Sequence, residues 1–329
     1  MRPLPAAFVE PCECLFSTAV SFGEQREAAH ALFAWFSGIL GFDDAQPDAV
    51  TQKDYFLPNG KAISYQGAAR CLWEFARSSK FLRGVEAAIR AAQQRFPGER
   101  IRVLDVGCGP FALLVLPMVL RFTAEEVEIS LLDINPESLA AAQRLIAELG
   151  VEAWFRDFHQ GDATTWQATP AWRPQVIVAE VLQNALKREP QVAVTRHLAP
   201  QLEPGGFFVP ECIALDLVAS RWMGESCESG CEQMTSLAPL FALSVATLDQ
   251  TGSGRVTLPA TLPDNTRLAI RTAIRVFGDI ELGQNECSLT CNFMPRDLRG
   301  LSGGQVLDYD YDAGAEPGLR FRVSDQPAA

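Results

Sequence analysis

The stretch Ile101-Arg102-Val103-Leu104-Asp105-Val106-Gly107-Cys108-Gly109-Pro110-Phe111-Ala112-Leu113 decides the fold of this chain. Its first six residues are largely apolar and rich in β-branched side chains, which predicts a buried strand. Two glycines, a cysteine and a proline then interrupt the pattern before helical spacing resumes. The stretch therefore predicts a strand, a tight turn and a helix.

Gly107 and Gly109 suit a ligand-binding turn, because glycine has no Cβ and lets backbone amides at a helix N-terminus approach a polar group. The turn lacks the third glycine of the dinucleotide fingerprint and the Lys-Ser/Thr ending of a P-loop. A nicotinamide or a nucleoside triphosphate is therefore disfavoured. A structural strand–helix unit without a ligand is the alternative.

Acidic residues follow or end three further predicted strands. Residues 128–133 form a second buried-strand pattern that ends at Asp133, where a carboxylate can accept hydrogen bonds from both ribose hydroxyls. Asp162 and Ala163 follow a third strand at residues 153–158, and Glu180 ends a fourth at residues 176–180. Ligands of open α/β sheets bind at such strand ends. Asp162 either contacts an adenine ring or caps a helix.

These features, in this order, resemble motifs I to IV of class I S-adenosylmethionine (SAM) dependent methyltransferases. The resemblance implies an α/β fold with a Rossmann-like core and SAM as cofactor. It implies a cofactor-binding set formed by Asp105, Gly107, Cys108, Gly109, Asp133, Ile134, Asp162, Ala163 and Glu180.

The chain resembles the protein arginine methyltransferase branch over roughly residues 54–215. The matching elements are Tyr55-Phe56, Arg77, Glu180 with Glu189 nine residues later, and the Leu-x-Pro-Gly-Gly element of residues 202–210. The resemblance implies that Arg77 binds the SAM carboxylate and that Tyr55 and Phe56 lie on a helix folded over the cofactor. A guanidinium suits a carboxylate because it forms two parallel charge-assisted bonds; a solvated helix arginine is the alternative.

Two departures concern the acceptor side of that family's site. No Thr-His-Trp triplet occurs, and no histidine follows His197. The loop segment 182–186 lacks the family's Met-Gly-Tyr. Guanidine recognition is therefore not implied, and the sequence predicts a changed substrate surface.

Three regions are expected: a helical N-terminal lid over residues 1–98, a SAM-binding domain over 99–215 and a β-rich, barrel-like domain over 216–329. The N-terminal region is expected to contain one helix at 23–40 and a long helix at 64–95 bent near residues 78–84. Strands are expected at 243–248, 255–258, 267–277, 287–293 and 319–323.

Composition excludes several classes of partner. The formal net charge of −12 disfavours nucleic acid and anionic membranes, which need clustered Lys and Arg. Nine cysteines without a paired framework, and only three histidines, favour a reducing cytoplasm and no metal site. No apolar run is long enough for a membrane span.

The leading functional hypothesis is methyl transfer from SAM to an amine or another nucleophile of a small molecule in a biosynthetic pathway. Glu180 is the expected proton acceptor, with Glu189 and Asn184 as further catalytic candidates. Proximity and orientation supply most of the catalysis of such a transfer.

Two alternatives stay open. In a SAM cyclase, the amine of SAM attacks its own γ-carbon to give azetidine-2-carboxylate and methylthioadenosine, and aromatics such as Tyr65, Trp73 and Phe75 would stabilise the sulfonium. A non-catalytic SAM-binding regulator is disfavoured by Glu180 and Asn184. The family's dimeric members suggest a homodimer, with residues 224–239 as its arm.

Overall fold

The computed structural model describes residues 3–46, 48–222, 232–262 and 265–324. An N-terminal helical region leads into a five-stranded parallel sheet, and two antiparallel sheets follow. In the described part of the chain, no helix is both long enough and apolar enough to cross a bilayer. The expected α/β class with a β-rich C-terminal region is confirmed.

The N-terminal region contains four α-helices and one short hairpin. These elements are α1 (Ala6–Phe16), α2 (Phe22–Leu40), β1 (Tyr55–Leu57), β2 (Gly60–Ala62), α3 (Tyr65–Arg70) and α4 (Phe75–Arg95). Ser21 caps α2 in a reciprocal capping box with Glu24, and Gly41 ends this helix in the left-handed conformation. These local signals explain why the predicted bounds of α2 are nearly right.

Two helix predictions in this region are wrong. The described residues of the segment 1–50 contain two α-helices, because α1 forms despite the internal Pro11 and buries Phe8, Cys12 and Leu15. The expected long helix is broken at residues 71–74, where Glu74 leaves helical geometry at φ −81° and ψ 66°, and not near 78–84. Burial of an apolar face outweighs the local helix-breaking signals in both places.

The central sheet has strand order β5-β4-β3-β6-β7, and all neighbours are parallel. Its strands are β3 (Ile101–Val106), β4 (Val127–Asp133), β5 (Phe155–Gln160), β6 (Val176–Ala179) and β7 (Phe207–Val209); the sheet's flanking helices are α5 (Pro136–Leu149) and α6 (Gln191–Leu198). Because β4 and β6 lie on opposite sides of β3, the strand order reverses there. A crevice at the carboxyl ends of β3 and β6 is therefore the expected ligand site.

The C-terminal region forms two antiparallel sheets, ordered β12-β11-β8-β9 and β10-β13-β14. Its strands are β8 (Cys212–Trp222), β9 (Glu232–Leu243), β10 (Gly254–Thr257), β11 (Thr266–Phe277), β12 (Ile280–Leu282), β13 (Val306–Asp312) and β14 (Gly318–Val323). Two strand predictions are wrong. Residues 287–293 contain a short 3-10 turn, and residues 243–248 contain the end of β9 and another such turn.

The proposed division into three domains stays a prediction, but its boundary at residue 215 falls inside β8. The structure thus places the start of the antiparallel region at Cys212. Of the suggested dimerisation arm, residues 224–231 lie outside the described residues, and 232–239 belong to β9.

One buried apolar cluster extends through all three regions. It includes Phe36 of α2, Val103 of β3 and Ile274 of β11. Helix α4 packs so closely against β11 that a Cβ added at Gly84 would collide with Val276. The antiparallel sheets are therefore packed against the same core that positions the parallel strand ends.

Candidate cofactor and acceptor cavity

The predicted glycine turn follows β3, and both glycines adopt left-handed geometry, with φ +68° at Gly107 and +63° at Gly109. The amide of Gly109 donates to Oδ2 of Asp133 at 2.9 Å. A Cβ at Gly107 would collide with the side chain of Val181, beyond the end of β6. The sequence needs glycine here both for the backbone angle and for the close approach of these strands.

Asp133 ends β4 and is buried beside this turn. Its Oδ1 accepts a hydrogen bond from the amide of Asn135 at 2.8 Å, while Oδ2 is held by Gly109. Burial raises the pKa of Asp133, and these backbone hydrogen bonds lower it. Sγ of Cys108 is a further, weak donor to Oδ2, at 3.9 Å. Because a thiol is a weak donor and each carboxylate oxygen has two lone pairs, Asp133 keeps acceptor capacity for ribose hydroxyls.

Asp105 lies in β3, beside the turn, and is 2% exposed. Its Oδ2 has no hydrogen-bond partner among the described residues. Burial raises its pKa to about 8, and the negative charges of Asp133 and Glu180 act in the same direction. An unsatisfied buried carboxyl oxygen costs stability, which a ligand donor can recover.

Arg77 lies in the first turn of α4 and is 6% exposed. Its Nη1 is 3.3 Å from Oε2 of Glu74 and 3.5 Å from Oε1 of Glu180, and its Nη2 donates to the carbonyl of Cys71 at 3.3 Å. The carbonyl is available because the helix breaks at this point. Arg77 is therefore a fixed internal cation and not a solvated helix arginine.

Glu180 and Glu189 bracket the loop that follows β6. Burial raises the pKa of Glu180 to about 7 against the opposing charge of Arg77. Burial and the charge of Glu180 raise the pKa of Glu189 to about 7 as well. Carboxylates with pKa values near neutrality are suited to accept protons at physiological pH.

The loop between these glutamates is strained, with left-handed φ angles at Ala185, Leu186 and Arg188. The C-terminal region holds it in place. Thr272 accepts from the amide of Ala185 at 2.8 Å, and Tyr311 donates to the carbonyl of Leu186 at 2.6 Å. Strain of this kind persists where the surrounding structure imposes it, and it often marks functional sites.

A turn of the C-terminal region contributes Ser288, Leu289 and Cys291 to the cavity lining. Ser288 donates from its amide and its hydroxyl to the two carboxylate oxygens of Glu74, at 2.8 and 2.9 Å. The residues that line the cavity in the described part of the chain include no histidine.

These elements enclose a cavity of about 720 Å³. The structure brings together nine of the predicted site residues along its lining: Arg77, Asp105, Gly107, Cys108, Gly109, Asp133, Glu180, Asn184 and Glu189. Their assignment to binding or catalysis stays a prediction. The volume is that of a typical small-molecule site.

Three predicted cofactor contacts near the N-terminus do not line the cavity. Tyr55 and Phe56 lie on the β1–β2 hairpin and not on a helix, and Phe56 is 83% exposed. The alternation of the hairpin directs Tyr55 towards α5, where its hydroxyl donates to Glu137 at 3.4 Å. Tyr65 is buried and contacts the ring of Phe42 with centroids 5.1 Å apart.

Three predicted contacts near the sheet edge also lie outside the lining: Ile134, Asp162 and Ala163. Oδ1 of Asp162 accepts from the amide and the hydroxyl of Thr164, both at 2.8 Å, so the carboxylate caps its own turn. Ala163 packs against a small second core cluster. Asp162 thus has the capping role that was the alternative, and its contact with an adenine ring stays a prediction.

Sequence reasoning missed several residues of the cavity. Glu74 and Lys187 lie in the segment that resembles the arginine methyltransferases, but the resemblance assigns them no role. They contact Ser288 and Phe293, which are distant in the sequence, so local patterns do not place them in the cavity. Trp73 and Phe75, suggested as sulfonium contacts, instead pack on Phe33 and Phe22.

Comparison with known proteins agrees with this geometry. Residues 103–206 match a family model described as a methyltransferase domain. A solved structure, the PRMT1 enzyme–prozyme heterotetrameric complex of Trypanosoma brucei with AdoHcy, superposes with a TM-score of 0.55. It is 12% identical, and the match covers 78% of this chain and 92% of that one. Among curated proteins, none matches significantly.

At this identity the structural likeness concerns the fold. Together with the domain match it confirms a class I methyltransferase fold with arginine methyltransferase-like architecture, and it supports SAM as the cofactor. The residues present fit SAM. Asp133 retains acceptor capacity, Asp105 has an unsatisfied oxygen, and Arg77 supplies a cation for the carboxylate.

Proposed function

We propose that this chain, whose residues 103–206 match a methyltransferase domain, transfers the methyl group of SAM to an amine nitrogen of a small molecule. The observation that carries the proposal is the grouping of Arg77, Glu180 and Glu189 on one wall of a cavity joined to the glycine turn. The acceptor, its place in a biosynthetic pathway, a cytoplasmic location and a homodimeric state belong to the proposal.

The proposed reaction needs a neutral amine and an in-line approach to the methyl carbon. The chemistry supplied by SAM is a methyl group on a sulfonium, so that the nitrogen–carbon bond forms as the carbon–sulfur bond breaks and S-adenosylhomocysteine leaves. Glu180 takes the proton that the acceptor loses. Its pKa of about 7 allows it to accept this proton near neutral pH and then release it to water.

A small acceptor is favoured over a protein arginine by the part of the cavity lining that the C-terminal region contributes. Ser288, Leu289 and Cys291 lie there, and Glu74 is already bound by Ser288. A planar guanidinium needs several aligned acceptors. Here the carboxylate of Glu74 already accepts two hydrogen bonds from Ser288.

A second candidate, the SAM cyclase, is favoured by one specific contact. Glu180 lies 3.5 Å from Arg77, the proposed partner of the SAM carboxylate, so Glu180 is near the amino-acid end of the cofactor. It could therefore hold the amine of SAM itself, which would close on the γ-carbon and expel methylthioadenosine. A non-catalytic regulator would have no use for two glutamates here whose pKa values are raised to about 7.

Product analysis tests both candidates. The protein is incubated with SAM alone and with a panel of small amines, and nucleoside products are separated and quantified. We expect S-adenosylhomocysteine that depends on an amine. Methylthioadenosine with azetidine-2-carboxylate from SAM alone would select the cyclase, and neither product would refute both.

A further inference from the structure

Lys187 is a third cation in the cavity lining, beside Arg70 and Arg77, which are both ion-paired with carboxylates. It lies in the strained loop between the two glutamates and lines the cavity with Gln183 and Glu189. In the described part of the chain its ammonium is in no ion pair; its one hydrogen bond is to Oδ1 of Asn184, at 2.5 Å. An ammonium has three donors, so two are available to a ligand.

The position of this ammonium is fixed by its surroundings. Asn184 uses its other end to donate to the carbonyl of Cys291 at 3.0 Å, and Lys187 Nζ lies 4.4 Å from the centre of the Phe293 ring. Both ends of the amide are thus engaged within the protein. These contacts support a role for Asn184 in positioning Lys187; its assignment as a catalytic group stays a prediction.

The charges around the lysine define a two-sided site. Glu189 is buried on the same loop, two residues on, and Glu180 lies at the start of the loop. A ligand that offers an ammonium or amine to the glutamates and an anionic group to Lys187 satisfies both sides. A single ammonium next to buried carboxylates suits a monoanion better than a phosphate dianion.

We propose that Lys187 binds the carboxylate of the acceptor, and that the acceptor is therefore a free amino acid. The inference rests on the proposed function and names its substrate class. The amine of the acceptor faces the glutamates, while its carboxylate faces the lysine that Asn184 and Phe293 hold in place.

Matched ligands test the proposal on protein saturated with S-adenosylhomocysteine. Alanine, leucine and lysine are each compared with the corresponding amide and the decarboxylated amine, by calorimetric binding. At least one acid is expected to bind about tenfold or more tightly than its amide and amine, because a charge-assisted contact is lost in both. Lys187→Met is expected to remove this preference.

Lys53→Met is the matched control. Lys53 is exposed, lies outside the cavity lining and contacts the ring of Tyr55, so the preference should persist there. Equal binding of acids, amides and amines by the wild type, or an unchanged preference in Lys187→Met, would overturn the inference. Weaker binding of S-adenosylhomocysteine to Lys187→Met would also overturn it, by assigning the lysine to the cofactor.

Measurements of turnover distinguish this inference from the proposed methyl transfer on which it rests. S-adenosylhomocysteine formed from amines without preference for the acids would refute the inference and leave methyl transfer intact. A lysine-dependent preference in binding, with no S-adenosylhomocysteine from any acceptor, would support the carboxylate site and refute the proposed methyl transfer.

Discussion

Nη1 of Arg77 lies 3.5 Å from Oε1 of Glu180, although 103 positions separate the two residues in the sequence. One belongs to the N-terminal helical region and the other follows the fourth strand of the parallel sheet in chain order. Their contact joins the proposed cofactor-carboxylate position to the proposed proton acceptor. The effects expected of Arg77→Lys and Glu180→Gln depend on this contact.

Arg77→Lys should weaken SAM binding although the charge is preserved, because an ammonium cannot reproduce the bidentate grip of a guanidinium. The expected loss is about 1.5–3 kcal/mol. Calorimetry with SAM and with decarboxylated SAM tests whether the lost affinity comes from the contact with the carboxylate. If it does, the variant loses affinity for SAM and little for decarboxylated SAM. Arg90→Lys, on the exposed side of α4, is the control, and equal losses for both ligands would place Arg77 elsewhere.

Glu180→Gln should lower turnover by about 10²–10⁴ at nearly constant shape, because the proton acceptor is lost. Wild-type turnover should rise with pH through about 7 as the carboxylate ionises. Unchanged SAM affinity would indicate contact with a separate acceptor, and a loss of about 1–3 kcal/mol would indicate contact with the amine of SAM. Glu203→Gln, whose partner is Arg102, is the control; wild-type turnover in Glu180→Gln would make Glu180 structural.

Gly107→Ala should destabilise the protein and greatly weaken SAM binding. Gly107 combines a left-handed backbone with a collision between the new Cβ and Val181. Gly150→Ala is a close control, because its φ of +69° is nearly the same and its Cβ would meet open space. We expect about 1–2 kcal/mol of unfolding free energy to be lost in the control and clearly more in Gly107→Ala. Equal losses in denaturant titrations would show that the close approach is unimportant.

Asp105→Asn should change how stability depends on pH. The folded wild type holds the Asp105 proton up to about pH 8, whereas an unfolded chain releases it near 4. The native state therefore binds more protons in this window, and wild-type stability falls as pH rises through it, by about 1.4 kcal/mol for each unit of raised pKa.

The amide introduced by Asp105→Asn does not ionise, so the variant should gain stability relative to the wild type between about pH 5.5 and 8.5. Urea titrations at the two pH values measure this difference. A difference in unfolding free energy between Asp105→Asn and the wild type that does not change with pH would contradict the raised pKa of Asp105.

Local signals were sufficient for the parallel core. The apolar run at residues 101–106, the two glycines and Asp133 each act through neighbouring backbone, so the strand, the glycine turn and the sheet edge could be predicted. The helix predicted after the turn is wrong, because residues 109–115 form turns and only the 3-10 helix Leu116–Leu120 follows. Asp162 shows the limit of this reasoning, because a strand-end aspartate serves equally well as a cap.

Long-range packing determined what the sequence could not show. The wall that contains Ser288 meets Glu74 across 214 positions, and Lys187 is placed by Phe293 of the C-terminal region. Tyr55 and Phe56 lie on a hairpin that docks through Lys61, whose amide donates to the carbonyl of Arg188 at 2.8 Å. Hydrophobic periodicity within these segments does not indicate contacts between positions so distant in the sequence.

The most direct measurement is a calorimetric titration of SAM into the wild type and into Asp133→Asn, with thermal unfolding to confirm that the variant is folded. Asparagine keeps the size of the side chain but loses the charge and one of the acceptors at the end of β4. We expect one SAM per wild-type chain and a loss of about 1.5–3 kcal/mol in the variant. A wild type that binds no SAM, or a folded variant that binds it equally well, would contradict a cofactor site at Asp133.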